Sequence, residues 1–295
     1  MIYLKSLHLP TDAAEIGVIQ GESRTCFGTF YPFKIFPQKR LSRLDFDSVT
    51  MLYGGNGSGK STLVNVIAEL TGAVRYSDFN DAPFFSRYVK LCRAEYMRRP
   101  PAATVLTSDD VFDYALSARA VNGKIDEQRE ELIEKYVRIR GEAIDNPEIG
   151  LLHGLDDYER WRETRDILSR RKTQSQFVKQ RTARDVDLYS NGETSMRYFL
   201  DRIEEDGLYL LDEPENSLSP ERQEELRDYI AATVRTSRAQ FIIATHSPIL
   251  LSMRGAEVWD LDAYPACITP WTELSGVRRY FDFFIAHKDE FSSRT

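Results

Sequence analysis

The sequence is poor in cysteine and has no cysteine pair with metal-binding spacing. Cys26, Cys92 and Cys267 are the only cysteines among 295 residues, they are far apart in the sequence, and no CxxC pair occurs. This pattern argues against both a disulfide framework and a zinc site. We therefore expect a protein of a reducing, cytoplasmic environment.

Long apolar runs are also missing. The sequence contains no stretch of about 18 consecutive apolar residues, the length that a membrane-spanning helix requires. Residues 1–17 lack the charged start and apolar run of a secretion signal. The sequence therefore predicts neither export by that route nor insertion into a membrane.

The bulk composition is that of a globular protein, with 42% hydrophobic and 29% charged residues. The net charge of -7 conceals a basic stretch from Arg160 to Arg184, which holds nine Lys and Arg against two acidic residues. Such a run is either a solvated helix face or a phosphate-binding surface for nucleic acid or a partner. Its bases are Arg160, Arg162, Arg165, Arg170, Arg171, Lys172, Lys179, Arg181 and Arg184.

Hydrophobic periodicity predicts an α/β fold. The segment "IYLKSLHL" alternates as an edge strand does, and Ser48–Tyr53 reads as a buried strand followed by glycines and a helix over 60–70. Gly207–Glu213 and Ala239–Thr245 are continuous apolar runs, typical of parallel strands covered on both faces. An amphipathic pattern between them predicts a crossover helix.

Two helical patterns in the middle of the chain indicate an insertion. One helix is predicted over 126–141, and a second runs through the basic stretch. We therefore predict a nucleotide-binding core formed by residues 1–120 and 188–295, with residues 121–187 as an inserted helical subdomain or short arm.

The glycine-rich segment "GGNGSGKST" has the spacing and the strand–loop–helix context of a phosphate-binding loop. Its glycines let backbone amides face a phosphate, and the helix start adds partial positive charge. Lys60 is expected to hold the β- and γ-phosphates, and the Ser61 hydroxyl to bind Mg²⁺. The predicted nucleotide-binding residues are Gly54, Gly55, Asn56, Gly57, Ser58, Gly59, Lys60, Ser61 and Thr62.

Polar residues follow both later apolar strands. Asp212 and Glu213 end one strand, where Asp212 is expected to hold Mg²⁺ through water and Glu213 to deprotonate the attacking water. His246 ends the other strand and is expected to contact the γ-phosphate. The alternatives are a solvated strand end for the acidic pair and a structural role for the histidine.

The order of the phosphate loop, "YSNGETS", "YLLDEPENSLSP" and "ATHSP" resembles the ATP-binding-cassette (ABC) ATPases, a superfamily of P-loop NTPases. The resemblance implies a mixed, mainly parallel sheet flanked by helices and a head-to-tail homodimer that sandwiches two ATP molecules. The residues that match the signature acting in trans are Ser190, Asn191, Gly192 and Glu193, and those that match the dimer loop are Asn216, Ser217 and Ser219. Ser219 stands at the usual aspartate position.

Within the superfamily, "DEPENSLSP" and "ATHSPILL" look like the soluble branch that contains RecF-type, chromosome-maintenance (SMC)-type and OLD-type ATPases. Small bacterial predicted ATPases of the AAA/ABC type share this phrasing. Chromosome-maintenance relatives carry hundreds of residues of coiled coil where this chain has about 65. The predicted arm is therefore short.

One family feature is missing, because residues 71–127 contain no glutamine at the position that usually touches Mg²⁺. Asp109 or Asp110 is the candidate replacement as a metal ligand. The alternative for both is a helix cap before Val111, since Ser and Asp favour such positions.

The favoured function is therefore an ATP-hydrolysing, Mg²⁺-dependent switch that dimerises with ATP and serves a DNA-related or defence-type process. The alternatives are a transporter cassette and a slow, nucleotide-gated module that binds nucleic acid or an effector protein through Arg160–Arg184. Tyr31, Phe33 and Phe36 are candidates for stacking on the base or for the core. Near the end of the sequence, Tyr280, Phe281 and Phe284 are expected to pack inward from a helix.

Overall fold

The fold is taken from a computed structural model of the chain. The described residues are 1–22, 26, 29–77, 79, 82–145, 162, 164–165, 167–168, 173–183, 191–203 and 206–292. The chain forms two compact units, one of residues 1–113 and 190–295 and the other of residues 114–189.

Nine strands form two sheets in the described part of the chain. They are β1 (Leu4–His8), β2 (Arg43–Asp45), β3 (Val49–Tyr53), β4 (Arg93–Tyr96), β5 (Ala103–Thr107), β6 (Gly207–Asp212), β7 (Ala239–Ala244), β8 (Glu257–Asp260) and β9 (Cys267–Ile268). The larger sheet has the order β5-β6-β7-β3-β8-β9, in which only the last pair is antiparallel. The predicted mixed, mainly parallel sheet is therefore confirmed.

The described helices flank these strands or extend from them. They are α1 (Asp12–Gln20), α2 (Lys60–Thr71), α3 (Phe85–Val89), α4 (Ser108–Asp145), α5 (Gln174–Lys179), α6 (Asn191–Arg202), α7 (Pro220–Thr236), α8 (Pro248–Leu251), α9 (Ser275–Ala286) and α10 (Lys288–Ser292). None of them has the length and the apolar composition that a bilayer-crossing helix would need.

The central strands of the large sheet are apolar because both of their faces are covered. Every residue of β3 and β7 is buried, and so are the first five of β6. On one face, Leu210 and Ile242 join Leu63 and Ile67 of α2 in a single hydrophobic cluster. Parallel strands buried in this way place all of their carboxyl ends on one edge of the sheet.

The smaller sheet has the order β2-β1-β4 and is antiparallel. The prediction that the first strand lies at an edge is wrong, because β1 is paired on both sides. Gln240 of β7, which is fully buried, joins the two sheets: its Oε1 accepts from the amides of Tyr3 and Leu4, and its Nε2 donates to the carbonyl of Leu4.

The second unit has a small core of its own. Tyr136 of α4 lies against Phe177 of α5 with 5.6 Å between ring centroids, and Ile167 is fully buried with them. The guanidinium of Arg181 lies 4.0 Å from the Phe177 ring centroid. The helix predicted over 126–141 is part of the much longer α4, which begins in the first unit.

Candidate functional site

The loop between β3 and α2 owes its shape to glycines at positions that a side chain would block. Gly57 and Gly59 have φ angles of 79° and 98°, which only glycine adopts without strain. A Cβ on Gly59 would lie 2.9 Å from Cε1 of Phe36, and one on Gly54 would lie 2.5 Å from Oγ of Ser58. Gly55–Gly57 form the exposed crest of the loop. The crest therefore lies open to solvent beside the start of α2, a position that favours an anion.

Lys60, the first residue of α2, is held beneath this crest. Its side chain is 4% exposed, and its Nζ donates to the carbonyls of Gly54 at 2.7 Å and Gly55 at 3.3 Å. The same Nζ lies 3.2 Å from Oε1 of Glu213. The lysine therefore links the phosphate-loop backbone to the carboxylate that follows β6.

Ser61 and Asp212 meet at the same edge, because β3 and β6 are both parallel neighbours of β7. The hydroxyl of Ser61 donates to Oδ1 of Asp212 at 3.1 Å. Burial raises the pKa of the Asp212 carboxyl to about 6, Ser61 and Lys60 oppose that rise, and Glu213 and Glu215 add to it. A desolvated carboxylate of this kind favours a nearby cation.

The Ser61 hydroxyl and the Asp212 carboxylate have the chemistry that suits Mg²⁺. This ion takes oxygen ligands, commonly one or two carboxylates together with substrate phosphates. Within the described residues, no group of three or more His, Cys, Asp and Glu side chains is placed to hold a metal ion. Ser61 and Asp212 therefore form a partial ligand set that a triphosphate would complete.

Glu213 has a backbone conformation that is uncommon for its residue type. Its φ and ψ are 47° and 51°, in the left-handed region, at the point where β6 turns into the short 3₁₀ helix Pro214–Ser217. Residues held in such regions store strain and cluster at functional sites. Nδ2 of Asn216 donates to Oε2 of Glu213 at 3.0 Å, so the two carboxylate oxygens have different partners.

Glu215 joins the segment after β6 to the segment after β7, a contact that the sequence analysis missed. Its side chain is 4% exposed, and its Oε1 accepts from the Thr245 hydroxyl and the His246 amide, both at 2.7 Å. Nδ1 of His246 lies 3.2 Å from the same oxygen. The repeated acidic residue in "DEPE" was the available signal, because a third carboxylate in a turn next to a strand end requires a partner.

His246 follows β7, which lies between β6 and β3 in the sheet. It is therefore on the same edge as the phosphate loop and the acidic pair, with its side chain 46% exposed. Ser247 next to it caps α8 and donates from its Oγ to Oε1 of Gln223 at 2.6 Å. The "ATHSP" turn is thus fixed by contacts to both ends of the "EPENSLSPERQ" segment.

Two further side chains contact the phosphate-loop segment, and one of them, Tyr31, was a candidate for stacking on a base. Oδ2 of Asp262, which follows β8, accepts from the amide of Gly55 at 2.7 Å. The Tyr31 hydroxyl lies 2.7 Å from Oγ1 of Thr62. Phe33 and Phe36, which were candidates for stacking on a base, are 6% and 0% exposed and belong to the core.

Asp109 and Asp110 lie in the first turn of α4, directly after β5. Asp109 is exposed. Oδ2 of Asp110 accepts from the Thr107 amide at 2.7 Å, and the Thr107 hydroxyl accepts from the Asp110 amide at 3.1 Å. The two reciprocal bonds between Thr107 and Asp110 are those of a helix cap. A helix cap was the alternative to a metal ligand for Asp109 and Asp110.

Part of the predicted signature lies outside the described residues. Ser190 is the residue outside them, and Asn191, Gly192 and Glu193 form the first turn of α6. In the dimer-loop segment, Ser217 Oγ donates to the Pro214 carbonyl at 3.2 Å, and Ser219 is the N-cap residue of α7.

The basic stretch is described only in part. Arg162, Arg165, Lys179 and Arg181 belong to the described residues of the second unit. The residues outside them are Arg160, Arg170, Arg171, Lys172 and Arg184.

Part of the chain matches a known protein family. Residues 107–252 match the family described as "AAA domain, putative AbiEii toxin, Type IV TA system". This segment contains the acidic pair, the "YSNGETS" segment and His246. No curated protein sequence matches the chain.

Several solved structures are distantly similar. The Smc head domain of Pyrococcus furiosus, bound to the C-terminal domain of ScpA, has 12% identity and a TM-score of 0.42, covering 98% of this chain and 100% of that chain. The SMC head domain of Thermotoga maritima has 14% identity and a TM-score of 0.37, with coverages of 91% and 99%. A nucleotide-free ATP-binding cassette of an ABC transporter has 15% identity and a TM-score of 0.36, with coverages of 88% and 87%. At identities and TM-scores this low, the three structures contribute no argument about function.

Proposed function

We propose that the chain is a P-loop ATPase of the ABC/AAA type, which hydrolyses ATP as a switch between separate and paired subunits. The observation that carries the proposal is a pair of contacts at one edge of the sheet. Nζ of Lys60 lies 3.2 Å from Oε1 of Glu213, and Oγ of Ser61 lies 3.1 Å from Oδ1 of Asp212. A phosphate loop facing two strand-end carboxylates offers one group for the metal and one for the attacking water, and both assist phosphoryl transfer to water.

The reaction needs positioning and charge neutralisation more than covalent chemistry. ATP entering the loop would draw the Lys60 ammonium to its β- and γ-phosphate oxygens. Glu213 would then lose its ion pair and be free to accept a proton from water. The water oxygen forms a bond to the γ-phosphorus as the bond to the bridging oxygen breaks, which releases ADP and phosphate.

The remaining polar groups have supporting roles. Asn216 would orient the Glu213 carboxylate through its bond to Oε2. His246, at the end of the neighbouring strand, is proposed to contact the γ-phosphate, and Glu215 would fix its position. Mg²⁺ held by Ser61 and Asp212 would neutralise charge on the phosphate oxygens.

The paired state is proposed from the resemblance of the signature segment to that of the ABC ATPases. Ser190 and the first turn of α6 are proposed to cap the γ-phosphate bound to a second copy, which gives a head-to-tail dimer with two ATP molecules between the subunits. We assign the switch to a defence-type process, because the description of the matched family names a toxin of a toxin–antitoxin system.

Mixing two inactive variants tests the trans arrangement. We expect Lys60→Ala and Ser190→Ala each to lower ATP hydrolysis by about 10²–10³-fold, the usual effect of losing one charge-stabilising donor. In a mixed head-to-tail dimer, one site receives both substitutions and the other receives neither.

Hydrolysis should therefore return to about a quarter of the wild-type rate in an equal mixture, since half of the dimers are mixed and each has one intact site. The matched control is Ser175→Ala, an exposed serine of α5, which should retain wild-type hydrolysis. A mixture with no more activity than its two components would rule out a serine that acts in trans.

A further inference from the structure

The last two helices in the described chain are attached to the core only at their start. Leu274, just before α9, is fully buried, and Val277 is 7% exposed. The Gly276 amide donates to the hydroxyl of Tyr53, the last residue of β3, at 2.9 Å. From residue 278 to residue 291, every residue except His287 is exposed.

This exposed segment is rich in large apolar side chains. The expectation that its aromatic residues pack inward is wrong, since the exposed fractions of the six largest lie between 53% and 66%. These six residues are Tyr280, Phe281, Phe283, Phe284, Ile285 and Phe291. We call them the C-terminal apolar face.

The C-terminal apolar face has the geometry of a helix that packs against another helix. Val277, Tyr280, Phe281, Phe284 and Ile285 recur at the i, i+3, i+4, i+7 and i+8 positions of α9. A ring contact extends the face into α10, because the ring centroids of Phe284 and Phe291 lie 6.1 Å apart. Contiguous exposed apolar surface of this kind marks an interaction site.

The charges along this segment show what kind of partner it fits. Arg278 and Arg279 lie near its start, and Asp289 and Glu290 lie near its end. An antiparallel pair of identical segments centred on Phe284 would set each arginine pair opposite the acidic pair of the other copy. Such a surface is self-complementary, which is what a two-fold interface requires.

The area of the face suits such a pair. An aromatic side chain presents about 150–250 Å² when fully exposed, so the five half-exposed aromatic side chains and Ile285 together offer about 600 Å² per copy. Two copies would bury about 1,200 Å², the lower end of the range for specific interfaces.

A membrane surface fits the segment less well. Helices that lie on anionic membranes carry an excess of Lys and Arg. Here Arg278, Arg279 and Lys288 are balanced by Asp282, Asp289 and Glu290.

We propose that α9 and α10 form an antiparallel, two-fold contact with the same helices of a second copy. This contact needs no nucleotide and is separate from the head-to-tail dimer proposed above. It would keep two subunits together when their ATP sites are apart. Each cycle of hydrolysis would then begin with two subunits already associated, without a diffusional encounter.

The test is the mass of the protein in solution without nucleotide, measured by light scattering from about 1 to 100 μM. Wild-type protein should reach twice the 34.0 kDa of one copy. The double variant Phe281→Glu with Phe284→Glu should remain at the mass of one copy, and it should fold because both side chains are exposed. The control Leu116→Glu replaces an exposed apolar residue of α4 and should keep the double mass.

Charge reversal makes the test specific for the antiparallel register. Arg278→Glu with Arg279→Glu places acidic groups opposite each other and should weaken the dimer by about tenfold or more. Adding Asp289→Arg and Glu290→Arg on the same chain restores complementarity and should restore the dimer.

Three results would overturn the proposal. They are a wild-type protein that stays at the mass of one copy, a double mass that survives the two glutamate substitutions, and a charge reversal that the added arginines do not rescue. If the wild type has the mass of one copy and binds anionic phospholipid vesicles, the partner of the C-terminal apolar face is a lipid surface and not a second copy. Since the readout is made without nucleotide, its failure would leave the ATP-dependent pairing untouched.

Discussion

Nζ of Lys60 lies 3.2 Å from Oε1 of Glu213, and this pair joins the phosphate loop after β3 to the acidic turn after β6. Lys60 is 4% exposed and Glu213 is 26% exposed at its side chain. A buried cation held by one carboxylate and two backbone carbonyls is poised to exchange those partners for phosphate oxygens.

Removing the lysine should remove the cation that binds the triphosphate. We expect Lys60→Ala to weaken ATP binding and to lower hydrolysis by about 10²–10³-fold, while Glu213→Gln should lose hydrolysis and retain binding. Titration calorimetry with Mg²⁺ and ATP distinguishes the two variants. Lys124→Ala, an exposed lysine of α4, is the control and should bind as the wild type does. Equal ATP affinity of the Lys60→Ala variant and the wild type would contradict the assignment.

Two glycines of the phosphate loop provide a matched pair for testing its packing. Gly57→Ala introduces only the backbone strain of a left-handed conformation, because nothing lies within 4 Å of the Cβ position at residue 57. This substitution should lower the free energy of unfolding by about 1–2 kcal/mol. Gly59→Ala adds a Cβ only 2.9 Å from the Phe36 ring and should be clearly more destabilising. Urea unfolding of both variants measures the difference. A smaller loss for Gly59→Ala would show that the ring does not constrain the loop.

Glu215 should matter more for stability than a surface carboxylate does. Glu215→Ala leaves the Thr245 hydroxyl and the His246 amide without their buried acceptor, and we expect it to lower the free energy of unfolding by about 2–4 kcal/mol. The control is Glu224→Ala, on an exposed position of α7, for which we expect less than about 0.5 kcal/mol. Denaturant midpoints compare the two, and similar midpoints would argue against the buried junction.

Glu15 of α1 predicts a pH dependence of stability. The residue is fully buried, and burial raises the pKa of its carboxyl, although the Lys34 amide donates to it and opposes the rise. The folded state therefore binds this proton more tightly than the unfolded state, so the associated stability is present at low pH. It is lost as the pH rises above the ordinary value of 4.5.

Glu15→Gln keeps an acceptor for the Lys34 amide and removes the charge. The melting temperature of the variant relative to the wild type should therefore increase between about pH 4 and about pH 8. Thermal unfolding followed by circular dichroism at these two pH values is sufficient. A difference that stays constant or shrinks would mean that the buried carboxyl does not titrate as described.

The elements of the core were predictable where the sequence is locally consistent. The β3–loop–α2 segment and the strands β6 and β7 follow from uninterrupted apolar runs, a glycine-rich spacing and helical periodicity. The α/β class follows in turn, because buried strands joined by helices must be parallel and covered on both faces. Each of these signals lies within about 20 residues of sequence.

The contacts between distant segments were not predictable in this way. The bond from Asp262 to Gly55 and the junction at Glu215 depend on the order of strands in the sheet, which no local pattern encodes. The position of β1 was predicted wrongly for the same reason, since its two partners are short and irregular in sequence. Helical spacing predicted α9, but the prediction that Tyr280, Phe281 and Phe284 pack inward was wrong, because spacing carries no information about what covers a helix face.

The central claim, that ATP pairs two copies of the chain, is tested most directly by the mass of a hydrolysis-deficient variant. The variant combines Glu213→Gln with Phe281→Glu and Phe284→Glu. The two glutamates remove the C-terminal contact, so any dimer that forms depends on the nucleotide. With Mg²⁺ and ATP, the account predicts a rise from the 34.0 kDa of one copy to twice that mass, and its loss when Ser190→Ala is added. A protein that binds ATP in a parallel titration and still has the mass of one copy would contradict the account.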